Sequence, residues 1–241
     1  HGNAAQITKA GGAIRVHAGT ILISDSVITH CTGFIGGAFY ITGGDITILN
    51  SVISNNMAGN HAGAFWVEGT NTKLKIDYSS ITGNVACQYG LGYSGGAFWV
   101  NTGAAVTISH STISENYASR GGGLEITGGE VKIVRTTIKD NDSPFQQSGN
   151  GFHTQATTTI YLVAVTMSNN MIFQGSSASL IRINTDKTSD ITGTITNGPT
   201  PQTCDQVSNT ICTDFSYPGE DCTAANDASI EGVICIGNIT Y

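Results

Sequence analysis

The sequence predicts an all-β protein folded as a right-handed parallel β-helix, a solenoid of about seven coils with a disulfide-stapled C-terminal cap. Three observations lead to this prediction: the composition, a repeat of 25 to 33 residues, and a period of two within each repeat. The 241-residue chain holds 28 Ile against 7 Leu, with 31 Gly and 31 Thr. Because β-branched side chains suit a pleated surface better than a helix, this composition excludes a helical bundle.

Blocks of six residues that begin with small residues define the repeat. They start at Gly11, Gly36, Ala62, Gly95, Gly121, Gly149 and Ala178. A second block follows each of them, as in ITILNSVISNN from Ile46. Both blocks alternate apolar and polar residues, which is typical of β-strands. Since one coil cannot bury its apolar face alone, we expect the coils to stack around a continuous core.

Three apolar columns are expected to face this core. They are Ile14, Phe39, Phe65, Phe98, Leu124, Phe152 and Ile181; Ile23, Ile48, Ile76, Ile108, Ile133 and Leu162; and Ile28, Ile53, Ile81, Ile113, Ile138 and Met167. Two polar columns accompany them: Ser26, Ser51, Ser79, Ser111 and Thr136, and Asn56, Asn84, Asn116, Asn141 and Asn170. We interpret the Asn column as a structural ladder that caps backbone groups at a tight turn.

The chain is expected to divide into two regions. Residues 1–198 carry the β-helix repeats, and within them residues 1–10 are the tail of an incomplete first coil. Residues 199–241 form the Cys-rich cap. An even number of Cys in a chain poor in Lys suggests an oxidising, extracellular or cell-surface setting.

The disulfide candidates are Cys204, Cys212, Cys222 and Cys235 in the cap, and Cys31 and Cys87 in the coils. Four cap cysteines allow three pairings, and the sequence does not choose among them. Cys31 and Cys87 lie two coils apart, so they could pair only if the long third coil brings Cys87 back. The absence of a CxxC pair predicts no metal site, and we expect no cofactor.

The charge of the chain limits the classes of partner that it can bind. Charged residues make up 11% of the chain and the formal net charge is −7. Since no basic run occurs, we expect no nucleic acid partner, and anionic membranes are poor candidates as partners. No apolar stretch approaches the roughly 20 residues of a helical membrane span, so we do not expect this segment to span a membrane.

Two motifs recur in the repeat, I-S-x-N-x-A and GGA[IF]. They read Ile53–Ala58 before Ala62–Phe65, and Ile113–Ala118 before Gly121–Leu124. This unit resembles the repeat of chlamydial polymorphic outer-membrane proteins and related right-handed β-helix surface proteins, over residues 3–197. The chain departs from it by placing Ile where that family usually has Phe before the Asn. The resemblance implies a secreted or surface-displayed adhesive or structural protein, without identifying a ligand.

Tyr40, Trp66 and Trp99 share one outward position in successive coils. We predict that they form a flat aromatic platform with a spacing of about 4.8 Å, a surface suited to sugars or to protein partners. In the alternative, the insert at 85–94 folds over the three rings as a satellite core. A subunit interface and a carbohydrate site both remain open.

Carbohydrate chemistry needs carboxyl pairs, or a base assisted by acids or Ca²⁺. The outward column contains one adjacent titratable pair, Glu125 and His153. Charged residues gather nearby: Glu125, Glu130, Lys132, Arg135, Lys139, Asp140 and Asp142. We interpret them as a solvated, mutually paired face and predict no catalytic residue.

Outward Ser/Thr pairs, as at Ser80/Thr82 and Thr112/Ser114, are typical of ice-binding β-solenoids. Lys139 interrupts the row, so we interpret it as ordinary surface. The glycosylation candidates are Asn238 and Asn141, each in an Asn-x-Ser/Thr sequon. Asn238 is the better acceptor, because Asn141 belongs to the Asn column.

Together these observations predict a non-catalytic extracellular structural or adhesive β-helix, such as a surface coat, spacer or filament module. Its partner is expected to be a protein, a second copy of the chain, or a glycan. The alternative is a carbohydrate-active β-helix, either polysaccharide lyase-like or glycan-binding.

Overall fold

A computed structural model describes residues 9–86, 94–143, 151–154, 159–163, 165–168, 170, 173–175, 180–184, 190–191 and 195–197. In these residues all regular structure is β, and parallel strands stack as a β-solenoid of about five turns. The prediction of an all-β parallel solenoid is therefore confirmed. Cys87, the cap at 199–241 with its four Cys, and Asn238 lie outside the described residues.

Four parallel sheets run along the described part of the solenoid. The first sheet contains β1 (Ile14–Val16), β5 (Phe39–Ile41), β9 (Phe65–Val67), β13 (Phe98–Val100), β16 (Leu124–Ile126), β19 (Phe152–Thr154), β22 (Phe173–Gly175) and β25 (Ile195–Asn197). The second contains β2 (Thr20–Ser24), β6 (Gly44–Leu49), β10 (Thr72–Asp77), β14 (Ala105–Ser109), β17 (Glu130–Val134), β20 (Thr159–Val163) and β23 (Leu180–Asn184). The third contains β3 (Val27–Thr29), β7 (Val52–Ser54), β11 (Ser80–Thr82), β15 (Thr112–Ser114), β18 (Thr137–Lys139), β21 (Thr166–Ser168) and β24 (Asp190–Ile191). The short fourth sheet contains β4 (Thr32–Gly33), β8 (Met57–Ala58) and β12 (Val85–Ala86).

The inward columns fill the core in the predicted register. Phe39 pairs with Phe65, which pairs with Phe98, and their rings stack at centroid distances of 4.7 Å. The Ile columns of the second and third sheets also pair coil on coil, as Ile48–Ile76 and Ile53–Ile81 do. These side chains are fully buried, so the continuous core inferred from the repeat is confirmed for the described turns.

The Asn column forms the predicted ladder. Asn84 Oδ1 accepts hydrogen bonds from the backbone N–H and the Nδ2 of Asn56 in the preceding coil. Asn84 Nδ2 in turn donates to the Ile53 carbonyl and to Asn116 Oδ1. The Ser column works in a similar way, because Ser79 Oγ accepts from the Ser51 N–H and donates to the Asp77 carbonyl. Both ladders satisfy the backbone at corners where strands end.

Small residues are needed at the corner before the first sheet. Gly36 and Gly121 adopt left-handed backbone with φ of 61° and 57°, and Ala62 adopts φ of 61° at the equivalent position. The next residue is restricted by space: a Cβ on Gly63 would lie 2.1 Å from the Gly96 carbonyl oxygen. The paired small residues of the repeat are therefore explained by a positive φ followed by close backbone approach.

One sequence prediction about the coils is wrong. Ile181 pairs with Ile160 in the second sheet rather than joining the Phe column, and Gln174 pairs with His153 in the first sheet. The error arises because no small-residue pair marks the start of β22.

Cys31, a disulfide candidate, has a free thiol whose Sγ lies 3.5 Å from the Thr29 carbonyl oxygen. Thr32, next to Cys31, pairs with Met57, and Met57 pairs with Val85. Val85 and Ala86 therefore lie two coils from Cys31, whereas Cys87, the partner considered for it, lies outside the described residues.

Candidate functional site

The aromatic column lies on the outer face of the first sheet, as predicted. Tyr40 pairs with Trp66, and Trp66 pairs with Trp99. Glu125 and His153 follow in the next strands. All three aromatic side chains are partly exposed, so they are accessible to a partner.

The three rings do not form the predicted flat platform. Tyr40 and Trp66 are nearly parallel, at 26°, with centroids 6.2 Å apart. Trp66 and Trp99 meet edge to face, at 69° and 4.1 Å. The Trp99 Nε1–H donates a 2.9 Å hydrogen bond to Thr127 Oγ1, which fixes the orientation of that indole. The two indoles therefore pack against each other at an angle, and the three rings do not form one plane.

Polar contacts hold the Tyr40 end of the column. The Tyr40 hydroxyl donates to Glu68 Oε1 at 3.2 Å, and the Arg15 guanidinium lies 5.1 Å from the Tyr40 ring centroid. Burial, followed by the negative charge of Glu68, raises the pKa of the Tyr40 hydroxyl above its ordinary value. Tyr40 is therefore a neutral hydrogen-bond donor at physiological pH.

His61 packs against both indoles. Its ring centroid lies 3.8 Å from that of Trp99 and 6.1 Å from that of Trp66. The Ser94 backbone N–H donates to His61 Nδ1 at 3.1 Å. Burial, followed by the positive charge of Arg120, lowers the pKa of His61 to about 4, so the imidazole is neutral at physiological pH. Most of the insert that was considered as a cover for the rings, residues 87–93, lies outside the described residues.

Four buried side-chain atoms near these rings have no hydrogen-bond partner. Within the described ranges, the buried polar side-chain atoms without a partner are Asn60 Oδ1, Trp66 Nε1, Ser94 Oγ and Arg120 Nε. Asn60 precedes His61 in the chain, and Ser94 pairs with Arg120 in a parallel bridge. We call Asn60, His61, Trp66, Ser94, Trp99 and Arg120 the aromatic cluster.

The sequence prediction included the two Trp and missed the other four residues. His61, Ser94 and Arg120 each stand directly before a small-residue block, and backbone hydrogen bonds align them: Ala62 N–H donates to the Ser94 carbonyl, and Gly95 N–H to the Arg120 carbonyl. The repeat contains this column, but its residue types differ from coil to coil. A register alignment extended by one position would have identified it.

The expected solvated face at Glu125–Asp142 is only partly as predicted. Glu130, Lys132 and Arg135 are exposed, and Lys139 lies 3.5 Å from Asp140. Glu125, however, has 0% exposure. Its Oε2 lies 2.7 Å from Nδ1 of the buried His153. Its assignment to a solvated face is therefore wrong, and a fully buried carboxylate cannot contact a polymer at the surface.

A second polar cluster occupies the corner between the second and third sheets. Asp77 Oδ1 lies 2.9 Å from His110 Nδ1 and accepts from Ser109 Oγ at 2.9 Å. Tyr78 stacks on His110 at 4.6 Å and 6°. Partial burial acts to raise the pKa of Asp77, but the hydrogen bonds from His110 and Ser109, with the charges of His110 and Lys75, lower it overall. Because these side chains contact one another, the cluster stabilises the corner between the second and third sheets.

The Ser/Thr rows follow the predicted register on the third sheet. Ser80 pairs with Thr112, and Thr82 pairs with Ser114. Ser114 is nevertheless buried, and its Oγ lies 3.2 Å from Thr82 Oγ1. Lys139 continues this row by pairing with Ser114. Mutually bonded hydroxyls and an intervening Lys agree with the interpretation of ordinary surface.

Asn141 is a poor glycan acceptor in the folded chain. Its side chain is buried, and Nδ2, the atom that a glycan would occupy, donates to the Ile113 carbonyl and to Asn170 Oδ1. A glycan would replace one of the two Nδ2 hydrogens and so break at least one of these bonds, and the buried site has no room for the sugar. The structure therefore argues against Asn141.

Comparisons with known proteins give no relative: no protein-family model, curated protein or solved structure matches this chain. In the part of the chain that the structure describes, no helix is long and apolar enough to cross a membrane. The same residues contain no group of three or more His, Cys, Asp or Glu placed to hold a metal ion. A proposal about function therefore rests on the fold and on the aromatic column of the first sheet.

Proposed function

We propose that this protein is a non-catalytic extracellular β-helix with a structural or adhesive role, and that the outer face of its first sheet is its contact surface. The observation that carries the proposal is the column of Tyr40, Trp66 and Trp99, three partly exposed aromatic side chains in register on successive coils. Large aromatic side chains dominate the energetics of binding surfaces, because each removes much apolar area from water.

The remaining parts of the proposal rest on the sequence. The solenoid is right-handed, as nearly all parallel β crossovers are, and it has about seven coils. Cys204, Cys212, Cys222 and Cys235 staple its C-terminal cap in an oxidising setting. The motifs I-S-x-N-x-A and GGA[IF] support kinship with the polymorphic outer-membrane-like surface repeats. In such a repeat protein, a stiff stack of coils would present the side chains at equivalent outward positions of successive coils to a partner.

A non-catalytic role is supported by the outward column itself. Glu125 and His153 are its adjacent acid and base, and both are buried and bonded to each other. Catalysis requires that the reacting groups reach the substrate. A buried, hydrogen-bonded pair of side chains is better suited to hold two coils in register than to act on a polysaccharide.

The test compares Trp66→Ala/Trp99→Ala with the wild-type chain. Each is applied to a glycan array, to immobilised copies of the same chain, and to the surface of source cells. Tyr78→Ala is the matched control, because Tyr78 is an exposed aromatic residue at another corner. We expect the double variant to lose binding at least tenfold while the control retains it. Equal binding by all three proteins would remove the first sheet as the contact surface.

The second candidate is a carbohydrate-active β-helix, either glycan-binding or lyase-like. The observation that favours it is the partial exposure of Tyr40, Trp66 and Trp99, since aromatic side chains at a surface can pack against sugar rings. Incubation with a panel of acidic polysaccharides, read by the absorbance of unsaturated products, separates the two forms. Product formation would indicate a lyase, and binding without product would indicate a glycan-binding protein.

A further inference from the structure

The outer face of the second sheet carries a row of side chains that the proposed contact surface does not use. Thr47, Lys75, Thr107 and Lys132 occupy equivalent positions in four successive coils, and Tyr161 follows in the next coil. Lys75 and Lys132 are exposed, and the two Thr and Tyr161 are partly exposed. We call these five residues the lysine row. It presents two cations, two hydroxyls and an aromatic ring to solvent along the solenoid axis.

The two cations of the lysine row are not neutralised by neighbouring side chains. On the same face, Lys73 lies 4.0 Å from Asp45. Within the described ranges, neither Lys75 nor Lys132 forms an ion pair. Two exposed cations on one line attract a partner that carries negative charges.

The other acidic side chains of this face stand beside the lysine row rather than in it. Asp77 is held by its contacts with His110 and Ser109. Glu130 is exposed and precedes Lys132 by two residues on the same strand, so the two side chains lie on the same face. Glu130 is therefore the acidic group expected to oppose an anionic partner.

A shallow depression of about 320 Å³ opens beside Lys75. Its lining includes Lys73, Lys75, Thr47, Thr107 and Ala105. Ala105 pairs with Lys73 in the neighbouring coil, and its small side chain leaves space between longer neighbours. The volume is at the lower end of the range for small-molecule sites. The depression can therefore receive one anionic group, with ammonium and hydroxyl groups around it.

The spacing of the two cations indicates the class of polyanion. Lys75 and Lys132 lie two coils apart, so their backbone positions are separated by about 9.6 Å. Nucleic acid carries a phosphate about every 3.4 Å along each strand and would leave most of its charges unmatched on this row. A polysaccharide with a carboxylate on every second sugar has sparser charges, and Tyr161 offers a ring against which a sugar can pack.

We infer that the lysine row binds a linear acidic polysaccharide, with one carboxylate in the depression beside Lys75 and the next one at Lys132. The polymer runs along the solenoid axis, across successive coils. The inference goes beyond the proposed contact surface, because it concerns a different sheet and different residues. Either of the two surfaces can therefore fail its test while the other passes.

The probe is a hyaluronan oligosaccharide, which carries one carboxylate for every two sugars, immobilised for surface plasmon resonance. The full chain is injected over this surface and, in parallel, over neutral dextran. We expect saturable binding to the acidic sugar that weakens as the salt concentration rises, because exposed charges are screened. Binding to dextran should be at least tenfold weaker.

Paired charge variants assign the binding to the lysine row. Lys75→Gln/Lys132→Gln should weaken hyaluronan binding about tenfold, because both cations of the row are lost. The matched control is Lys9→Gln/Lys139→Gln, which removes the same charge from residues outside the second sheet. The control should change the affinity less than twofold. A thermal melt checks the fold of each variant.

Two single variants test the details of the site. Glu130→Gln should strengthen hyaluronan binding about twofold, because it removes the opposing charge. Ala105→Leu fills the depression and leaves every charge in place, so it should weaken binding several-fold. This second variant separates a shaped site from a merely charged surface.

Four outcomes would overturn the inference. No binding to hyaluronan would remove the polysaccharide. Equal losses from the two double Lys variants would indicate nonspecific charge attraction. Equal or tighter binding to single-stranded DNA would mean that the row responds to charge density alone. Loss of hyaluronan binding in Trp66→Ala/Trp99→Ala would place the polymer on the first sheet, whereas retention there supports a separate site.

Discussion

Replacing Asn84 with Ala tests the ladder on which the stacking of the coils depends. Asn84 is fully buried. Its Oδ1 accepts from the backbone N–H of Asn56 at 3.1 Å and from the Nδ2 of Asn56 at 3.0 Å. Its Nδ2 donates to the Ile53 carbonyl at 3.0 Å. All three groups remain in place when the Asn84 amide is removed.

The magnitude follows from these orphaned groups. Each buried donor or acceptor left without a partner costs about 1–3 kcal/mol. Two donors on Asn56 and one carbonyl on Ile53 therefore predict a loss of about 3–9 kcal/mol in the free energy of unfolding. For a domain of this size, 1 kcal/mol corresponds to about 2–4 °C in Tm, so Tm should fall by at least about 6 °C.

The assay is a thermal melt followed by far-UV circular dichroism. Asn71→Ala is the matched control, because Asn71 is exposed, and its Tm should change by no more than about 2 °C. If Asn84→Ala melts at the same temperature as Asn71→Ala, the Asn column does not hold the coils together and the reasoning from buried hydrogen bonds is refuted.

Three further experiments test the core, the corner before the first sheet and the aromatic cluster. Phe65→Ala, which removes a ring stacked on both sides at 4.7 Å, should cost about 3–5 kcal/mol by denaturant unfolding; a loss no larger than that of the exposed Leu22→Ala would contradict this. Gly63→Ala should prevent stable folding, since its Cβ would lie 2.1 Å from the Gly96 carbonyl oxygen; a normal melt would show that the coils are not so close. His61 has a pKa of about 4 in the fold against 6.5 when unfolded, so the unfolded chain binds its proton first and stability falls as pH drops from 6.5 towards 4. Allowing for solvent screening of a partly exposed group, the free energy of unfolding falls by about 1–2 kcal/mol. His61→Asn should not show this fall; if the variant keeps the pH dependence of the wild type, the fall does not come from His61.

The parts of the fold that the sequence predicts correctly are those fixed by repetition. Inward Ile and Phe recur at one register, so the core columns follow from period two and coil length alone. The Asn ladder is equally predictable, because a polar residue repeated at one corner must satisfy its neighbours along the axis. The prediction fails at Ile181, where a coil lacks the small-residue pair that sets the register in earlier coils.

The candidate site is less predictable because it depends on residues that do not repeat. Trp66 and Trp99 share a column and are visible in the sequence, but the 69° between their rings is set by Thr127 and His61. Asn60 and Arg120 lie in loops of different sequence, so the repeat does not mark either of them. Burial of Glu125 is likewise a tertiary property, since its position alternates outward in the sequence yet has no exposure in the fold.

The contact surface on the first sheet is tested most directly by the ratio of dissociation constants for Trp66→Ala/Trp99→Ala and Tyr78→Ala against one immobilised partner, measured by surface plasmon resonance. We expect the double variant to bind at least tenfold more weakly than the Tyr78 variant, with both variants folded. A ratio close to one would contradict it, because the outer face of the first sheet would then contribute no more to binding than an exposed aromatic residue elsewhere on the solenoid.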